Sequence, residues 1–562
     1  MNHTDFPVIR ISCDVLVVGG GLAAFRAAWA ARAAGARVRI VAKRRLLTGG
    51  ATAVGRSEIM GVAAALGHSN PLDSPEIHYQ DTVNAGGAFL RRDLARVLVD
   101  EIPNEIKRLL NWGVPFEKRG EKLSQMRSDY ATYPRNCKAD GRTGWEILSV
   151  LARKVRDAGI EIDEEVMIVK LFSGRDQSLG AFGLGRKANA LYVYESKCVL
   201  AASGGAGYLF SRNAVSPEMS GDGYVFALQA GAPLMNMEFL QFGPGVLTPS
   251  PLALSGPVYR MDPIFRNDLG EDILKKHLPE GVSVEEVLAH KVFPFNGQDP
   301  SRYLDMAISL ENLAGRTVTL QVGQEGELLK RIPHTCRRIL DAGLSLTDPW
   351  PVGIILQCFN GGIYMEDARC HTRVPGLLVA GEAAGGLRAP TRPGGNALAE
   401  ALVFGKIAGE EAAGMQADME PAEAKGEELQ NFIADLQKIE TVQGGRSHLK
   451  IRDELHDLCE RYLSVVRSAE GLQKAGARIG QMQAELETEA RAEGFLADYF
   501  TTRHLAVVAE VIAAAALRRE ESRGSHFRED FTEPREEWNL PLWVTREGQG
   551  LRVEAKAIRE EK

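Results

Sequence analysis

No two of the seven cysteines (Cys13, Cys137, Cys198, Cys336, Cys358, Cys370 and Cys459) stand in a C-x-x-C or any other paired spacing. That excludes a disulfide framework and a chain-borne iron–sulfur centre, and it fits a reduced compartment. No metal site is expected. Long apolar runs are also missing, since none approaches the roughly 18–20 residues of a spanning helix, so no direct membrane span is expected. The N-terminus, MNHTDFPVIRISCDVLVVGGG, enters a buried strand without a basic leader region or a cleavage site. Excess positive charge is absent too. A net charge of −7 gives no reason to propose nucleic acid or an anionic membrane as partner. The chain reads as cytoplasmic, with attachment to a membrane through a partner left open. There is no internal repeat and no long disordered linker. With 562 residues, 44% hydrophobic and 25% charged, two or three globular folding units are expected.

What is present begins at residue 13. CDVLVV is a short apolar run of the kind buried in a parallel sheet. Gly19, Gly20 and Gly21 follow, then an Ala-rich helical pattern and a second strand near 37–42. The pattern is G-x-G-x-x-A, with Ala24 at the third small position. Strand, glycine turn, helix and strand in that order are what a dinucleotide-binding unit requires. Glycines let the backbone approach a pyrophosphate, and a helix N-terminus supplies unpaired N–H groups. The acid expected at the end of the second strand is absent, and Ala42 and Lys43 stand there. This loop alone therefore does not choose FAD over NAD. A second small-residue stretch, LLVAGEAAGGLRAPTRPGGNALAEALVFGK (377–406), keeps a lone cation, Arg392, just before a helical pattern resumes at Asn396.

Further blocks add a resemblance. LDSPEIHYQDTVNAGGAFLRRDLARVLVDEIPNEIKRLLNWGVPF (72–116), RNCKADGRTGWEIL (135–148), LAASGGAG (200–207), SGDGYVFALQAGAPLMNMEFLQF (220–242), NGGIYMEDARCHTRVPGLLVAGEAAGG (360–386) and ESRGSHFRED (521–530) occur in order along the chain. Together they resemble the succinate dehydrogenase/fumarate reductase flavoprotein family, which includes L-aspartate oxidase. The resemblance implies an α/β fold: a discontinuous, Rossmann-like FAD-binding domain (1–245 and 345–420), an inserted α+β capping domain (246–344) and a C-terminal helical domain with an extended tail (421–562). It implies FAD, with Gly19, Gly21 and Ala24 at the pyrophosphate turn, and Lys43 at the end of the second strand. Thr48, Gly49 and Gly50 are expected against the flavin, Gly205 in the small-residue block, Asp222 toward the adenosine half and Glu382 near the ribityl chain. Asn396, Ala397 and Leu398 would open a helix aimed at the flavin pyrimidine ring, where a helix N-terminus favours an anion by ~0.3–1 kcal/mol.

The substrate side departs from the family pattern. Many members attach FAD covalently to a histidine in an S-H-T-like stretch, but TGGATAVGRSE (48–58) has none, so non-covalent FAD is expected. Arg392, in TRPGGN, matches an arginine that clamps a substrate carboxylate. The family's Q-F-H-P reads Gln241-Phe242-Gly243-Pro244, and a second histidine position is Gln357. Arg302, in DPSRYLDMAISLE, falls near the position of the proton-relay arginine, and Trp145 replaces a histidine often seen after R-T-G. Arg302, Arg392 and Gln357 are the expected catalytic residues, with Gly243 opening space above the flavin.

The resemblance thus implies an FAD-dependent oxidoreductase acting on a C–C single or double bond of a modified organic acid, with electrons exchanged through an iron–sulfur partner protein. Alternatives are adenylylsulfate-reductase-like chemistry on sulfur, or a non-catalytic flavin relay. Cys358 reads as a small buried hydrophobe, and His526 with Arg523 and Arg528 as a structural latch for the helical domain.

Overall fold

The computed structural model describes residues 6–558 apart from 59, 176, 249–250, 255, 324, 416–418 and 549. Five short runs form its central sheet: β1 (Val15–Val18), β2 (Val38–Ala42), β3 (Glu161–Glu164), β4 (Cys198–Ala201) and β5 (Leu377–Val379). They pair in parallel in the order β5-β4-β1-β2-β3. Every residue of β1, β4 and β5 is buried, which is why these runs read as unbroken apolar residues, Val, Leu, Ala and Cys198. β5 comes from far beyond the other four strands in the chain, so the parallel sheet is assembled from two separated segments.

Two helices lie against each other on this sheet, α1 (Leu22–Ala33) and α2 (Asn396–Gly414). Small residues set their separation. A Cβ on Gly409 would stand 2.2 Å from the Ala27 carbonyl oxygen, and one on Gly405 would stand 2.8 Å from that of Ala23. The backbones therefore touch directly. Ala24 is buried within α1.

Between β4 and β5 the chain makes a second, antiparallel sheet. Strands Leu240–Val246 and Trp350–Phe359 pair along their length, with Leu252–Ala253 on one edge and Val318–Gln321 and Ile264–Asn267 on the other. These two long strands carry the chain out to the capping region and back. Helices Arg302–Leu313 and Pro333–Asp341 complete that region. The C-terminal part contributes helices Gly426–Thr441, His448–Tyr462, Ala469–Thr488 and Leu496–Arg518. A last hairpin, Leu542–Glu547 with Gly550–Ala555, then pairs back onto Leu234–Met235.

A count of apolar runs passes over one helix. Leu496–Arg518 is apolar and long enough to cross a bilayer by length and composition, although 72% of its apolar window is buried inside the protein. It is a core helix. Its apolar residues pack around Ala469–Thr488 and the central unit, which a run count along the sequence does not reveal.

The C-terminal block is held by buried charge. Arg519 pairs with Glu238 (2.7 Å) and Glu521 (3.0 Å), all three side chains being fully buried. Arg467 donates toward His526 Nδ1 (2.8 Å), and Arg528 pairs with Asp530 (2.6 Å). Burial among Arg467, Arg519 and Arg528 holds the His526 imidazole far below its ordinary range, so it is neutral. Arg523 donates to both Glu521 carboxylate oxygens (2.9 Å each).

Candidate active site

One long cavity of about 580 Å³ runs along the C-terminal ends of the central strands and on beneath the capping sheet. Such a place, outside the carboxyl ends of a parallel sheet, is where α/β folds bind ligands. Gly19, Gly20 and Gly21 line it at the end of β1. Gly19 has φ +140, and a Cβ there would meet the Ala202 carbonyl oxygen at 2.2 Å. Only glycine fits that approach.

The first turn of α1 faces this end. Its N-cap is Gly21, no side chain caps it, and Leu22 N–H reaches only Thr52 Oγ1 at 3.4 Å. The N-terminus of α2 faces the cavity further along. Gly395 caps it with φ +90, again without a side-chain hydrogen bond, and Ala397 and Leu398 line the wall. Two uncapped helix N-termini on one cavity make a cradle for an anionic, elongated group.

Lys43 lines the cavity at the end of β2 and donates to Ser220 and to Asp222 (3.0 Å). His504 Nδ1 lies 2.9 Å from the other Asp222 oxygen. Burial alone would raise the Asp222 carboxyl, but Lys43 and the His504 hydrogen bond hold it well below the usual carboxylate range. Burial lowers Lys43 and His504 in turn. His504 comes from helix Leu496–Arg518, so the C-terminal part braces this corner.

Gly49 and Gly50 also line the cavity, and the Gly50 N–H donates to Glu218 (2.6 Å) and Ser216 (2.7 Å). Thr48 does not reach it, since its hydroxyl donates to the Arg45 carbonyl (2.7 Å) on an exposed turn. Glu382 lines the cavity and accepts from the Phe359 N–H at 3.1 Å. Burial pushes its carboxyl up, against Arg388. Arg388 itself is locked to Glu400 (3.1 Å) and to the Phe359 carbonyl (2.7 Å). Gly205 stands behind Glu382, where a Cβ would meet the carboxylate at 2.6 Å. Asn396 turns inward to His78 (2.8 Å) and Thr82 (3.0 Å), away from the cavity wall.

At the far end Arg392, Gln357 and Cys358 share the wall. Arg392 Nη2 lies 3.6 Å from Cys358 Sγ, whose thiol reaches Gln241 Oε1 at 2.7 Å. Arg392 Nε is buried without a hydrogen-bond partner. A buried unpaired guanidinium N–H carries a desolvation cost of about 1–3 kcal/mol or more, which a ligand oxygen would remove. Burial pushes the Cys358 thiol up, Arg392 opposing, so it stays protonated.

Two expected positions are placed differently here. Arg302 is absent from the cavity wall: its guanidinium donates to the Gly297 carbonyl (2.6 Å) and Tyr303 Oη (3.1 Å) and lies over Phe527 (5.8 Å). Position 243 does not open free space either, because the Phe293 ring fills it, 2.3 Å from where a Cβ would stand. Residues that sequence reasoning missed include Phe293, Asp129, Glu218 and His504. Only Asp129 carried a hint, the turn-like string RSDYATYP around it.

Comparison with known proteins assigns the family. Residues 14–398 match the family described as FAD binding domain, and residues 452–561 match that described as fumarate reductase flavoprotein C-term. The fumarate reductase (CoM/CoB) of Methanothermobacter marburgensis has a chain that is 30% identical over 553 residues, covering 95% of this chain and 97% of that one. The chain belongs to the fumarate reductase and succinate dehydrogenase flavoprotein family. L-aspartate oxidase of Streptomyces coelicolor is 29% identical, with 94% of this chain and 91% of that one covered. Among solved structures, Mycobacterium smegmatis Sdh1 superposes with a TM-score of 0.84 at 26% identity, over 99% of this chain and 95% of that one.

As a member of this family the protein is an FAD-dependent oxidoreductase. The cavity fits that cofactor: a glycine turn that only backbone can fill, two uncapped helix N-termini and a wall of Gly, Ala and Leu between them. Gly19, Gly21, Lys43, Gly49, Gly50, Asp222, Glu382, Ala397 and Leu398 stand on that wall. Ala24, Thr48, Gly205 and Asn396 do not, and the last two shape it from behind.

Proposed function

We propose that the protein transfers hydride to or from a carbon–carbon bond of an organic acid other than succinate, fumarate or aspartate, and exchanges electrons with a separate iron–sulfur protein. The observation that carries this reading is Arg392, a cation on the cavity wall whose Nε is buried and unpaired. Its fork matches one carboxylate, and among the described residues no histidine lines the cavity to hold a second. Gln357 offers an amide in that neighbourhood, able to hydrogen-bond a carbonyl.

When bound, FAD supplies two-electron chemistry as a hydride equivalent at the substrate carbon. The chain's part is to hold and orient. Arg392 anchors a carboxylate, Phe293 and Leu252 from the capping side exclude water, and Gln357 fixes the approach. The N-terminus of α2 favours negative charge at that end of the cofactor cradle. The lack of any cluster-binding cysteine set in this sequence supports an onward electron route through a partner.

The test is re-oxidation of the photoreduced holoprotein by a panel of 2-enoates, followed at the flavin absorbance band. Rapid return of the oxidised band with at least one enoate is expected. Return only with iron–sulfur proteins would replace the enzyme by an electron relay.

A further inference from the structure

Asp129 is a carboxylate on the wall of the cavity that holds Arg392. Its turn is pinned to the arginine's own segment. Ser128 Oγ donates to the Gly394 carbonyl (2.8 Å), and the Gly394 N–H donates to the Asp129 carbonyl (3.1 Å). A Cβ on Gly394 would stand 2.8 Å from Ser128 Cβ, so the two segments lie against each other without padding. Asp129 is thereby delivered to the cavity in fixed register with Arg392, two residues before Gly394.

The two nearby cations do not cancel it. Lys291 is fully buried and committed to Asp305 at 2.6 Å. Arg260 holds the Gly256 carbonyl (2.8 Å) on an exposed turn. The wall that the capping region adds is mostly apolar, with Leu252, Leu254, Phe293 and Pro294, and includes one cation, Arg338. The cavity thus holds the Arg392 guanidinium, the Asp129 carboxylate and this apolar side, while Arg56 donates to the Ala53 and Gly55 carbonyls (2.8 and 2.7 Å) and Arg388 pairs with Glu400 (3.1 Å).

We propose that this arrangement selects unsaturated monocarboxylates whose far end is neutral, and that Asp129 is the residue that rejects a second carboxylate. The inference rests on the reading above in which Arg392 holds a substrate carboxylate. Like charges facing each other in a partly dry cavity cost enough to separate two ligands by on the order of 100-fold. Asp129 acts here on specificity; nothing requires it to move a proton.

The selection is titratable. Burial pushes the Asp129 carboxyl up to about 6, with Lys291 and Arg260 opposing. Tyr259 from the capping side and Tyr130 from the same turn are both pushed up by burial, so neither changes charge near neutrality. Asp299 faces Tyr130, and Glu382, further along the cavity, is also pushed up by its burial. Protonation of Asp129 removes the repulsion, so discrimination is strong above its pKa and fades below it.

The experiment measures binding of 4-methylcinnamate and 4-carboxycinnamate, and of crotonate and fumarate, to the oxidised holoprotein by flavin difference spectra. Wild type and Asp129→Asn are compared at about pH 7.5 and about pH 5.5. In wild type the methyl member of each pair binds up to about 30-fold more tightly at the higher pH, the ceiling set by protonating Asp129 about 1.5 pH units above its pKa, and the ratio falls below about threefold at the lower pH. In Asp129→Asn the ratio is near one at both, with flavin content unchanged. Equal binding of mono- and dicarboxylate by wild type at the higher pH, an unchanged ratio in Asp129→Asn, or no binding of either class overturns the proposal. If the variant loses flavin, the wild-type pH comparison decides alone. Because binding is read without turnover, failure of the hydride-transfer reading is seen separately, in the re-oxidation assay.

Discussion

The Phe293 ring lies in the space that any side chain at position 243 would need, with a ring carbon 2.3 Å from the place of a Cβ on Gly243. The pair works as one unit: the strand offers no side chain there, and an aromatic from the capping region takes that volume. Putting a histidine at 243 therefore overpacks the site. Gly243→His is expected to lower stability by about 1–3 kcal/mol and to deplete flavin. Gly243→His combined with Phe293→Ala should recover much of that loss. Thermal unfolding followed by flavin fluorescence separates the two, and a single variant as stable as wild type would contradict the packing argument.

Arg392 and Arg302 should behave differently. Arg392→Ala removes a group on the cavity wall and is expected to cut turnover by about 100-fold or more while keeping flavin. Arg392→Lys should recover little, because a point charge does not replace a planar fork. Arg302 holds the Gly297 carbonyl and lies over Tyr303 (5.0 Å) and Phe527 (5.8 Å), so Arg302→Ala should cost stability first. Steady-state kinetics beside melting curves decide. A large loss of kcat in Arg302→Ala with an unchanged melting temperature would return Arg302 to the substrate.

The Lys43–Asp222–His504 group sets a pH dependence. Asp222 has its pKa depressed in the folded state, so the stability it contributes is fully present above the unfolded carboxylate value of about 4. That contribution fades as pH falls through the lower folded value. Asp222→Asn should flatten the acid limb of the stability curve. Asp222→Ala, which strands a buried lysine, should cost about 3–5 kcal/mol near neutral pH. Urea unfolding at several pH values gives both numbers, and an unchanged acid limb in Asp222→Asn would remove Asp222 from the account.

Flavin attachment is a separate matter of chemistry. No histidine lies in residues 48–58, and Ala51 and Thr52 occupy the cavity wall there. Acid precipitation is expected to release all the flavin into the supernatant as FAD. Flavin retained in the pellet would mean a covalent bond through some other residue.

Much of the cofactor half was legible before the structure because its requirements are local. A backbone approach demands glycine at residue 19, a helix N-terminus demands small residues before it, and a buried parallel strand demands an apolar run. Each is written within a few consecutive positions. Asn396 shows the limit even there, since its place in the helix was readable but its turn toward His78 was not.

The substrate half was decided by tertiary packing. From the chain alone Gly243 is a missing histidine and therefore a hole; in the fold, a phenylalanine fifty residues later fills it. Arg302 holds a family-like position in the chain, yet the Gly297 carbonyl, Tyr303 and the Phe527 ring engage its guanidinium off the cavity wall, with Nε left buried and unpaired. Asp129 carries no motif and gains its place only because Gly394 and Ser128 bring two distant segments together. Local backbone demands leave marks in sequence, whereas which side chain fills a given volume, and which charges meet across it, depends on contacts between segments far apart in the chain. The sequence determined what this protein holds; the packing of the capping region determines what it admits.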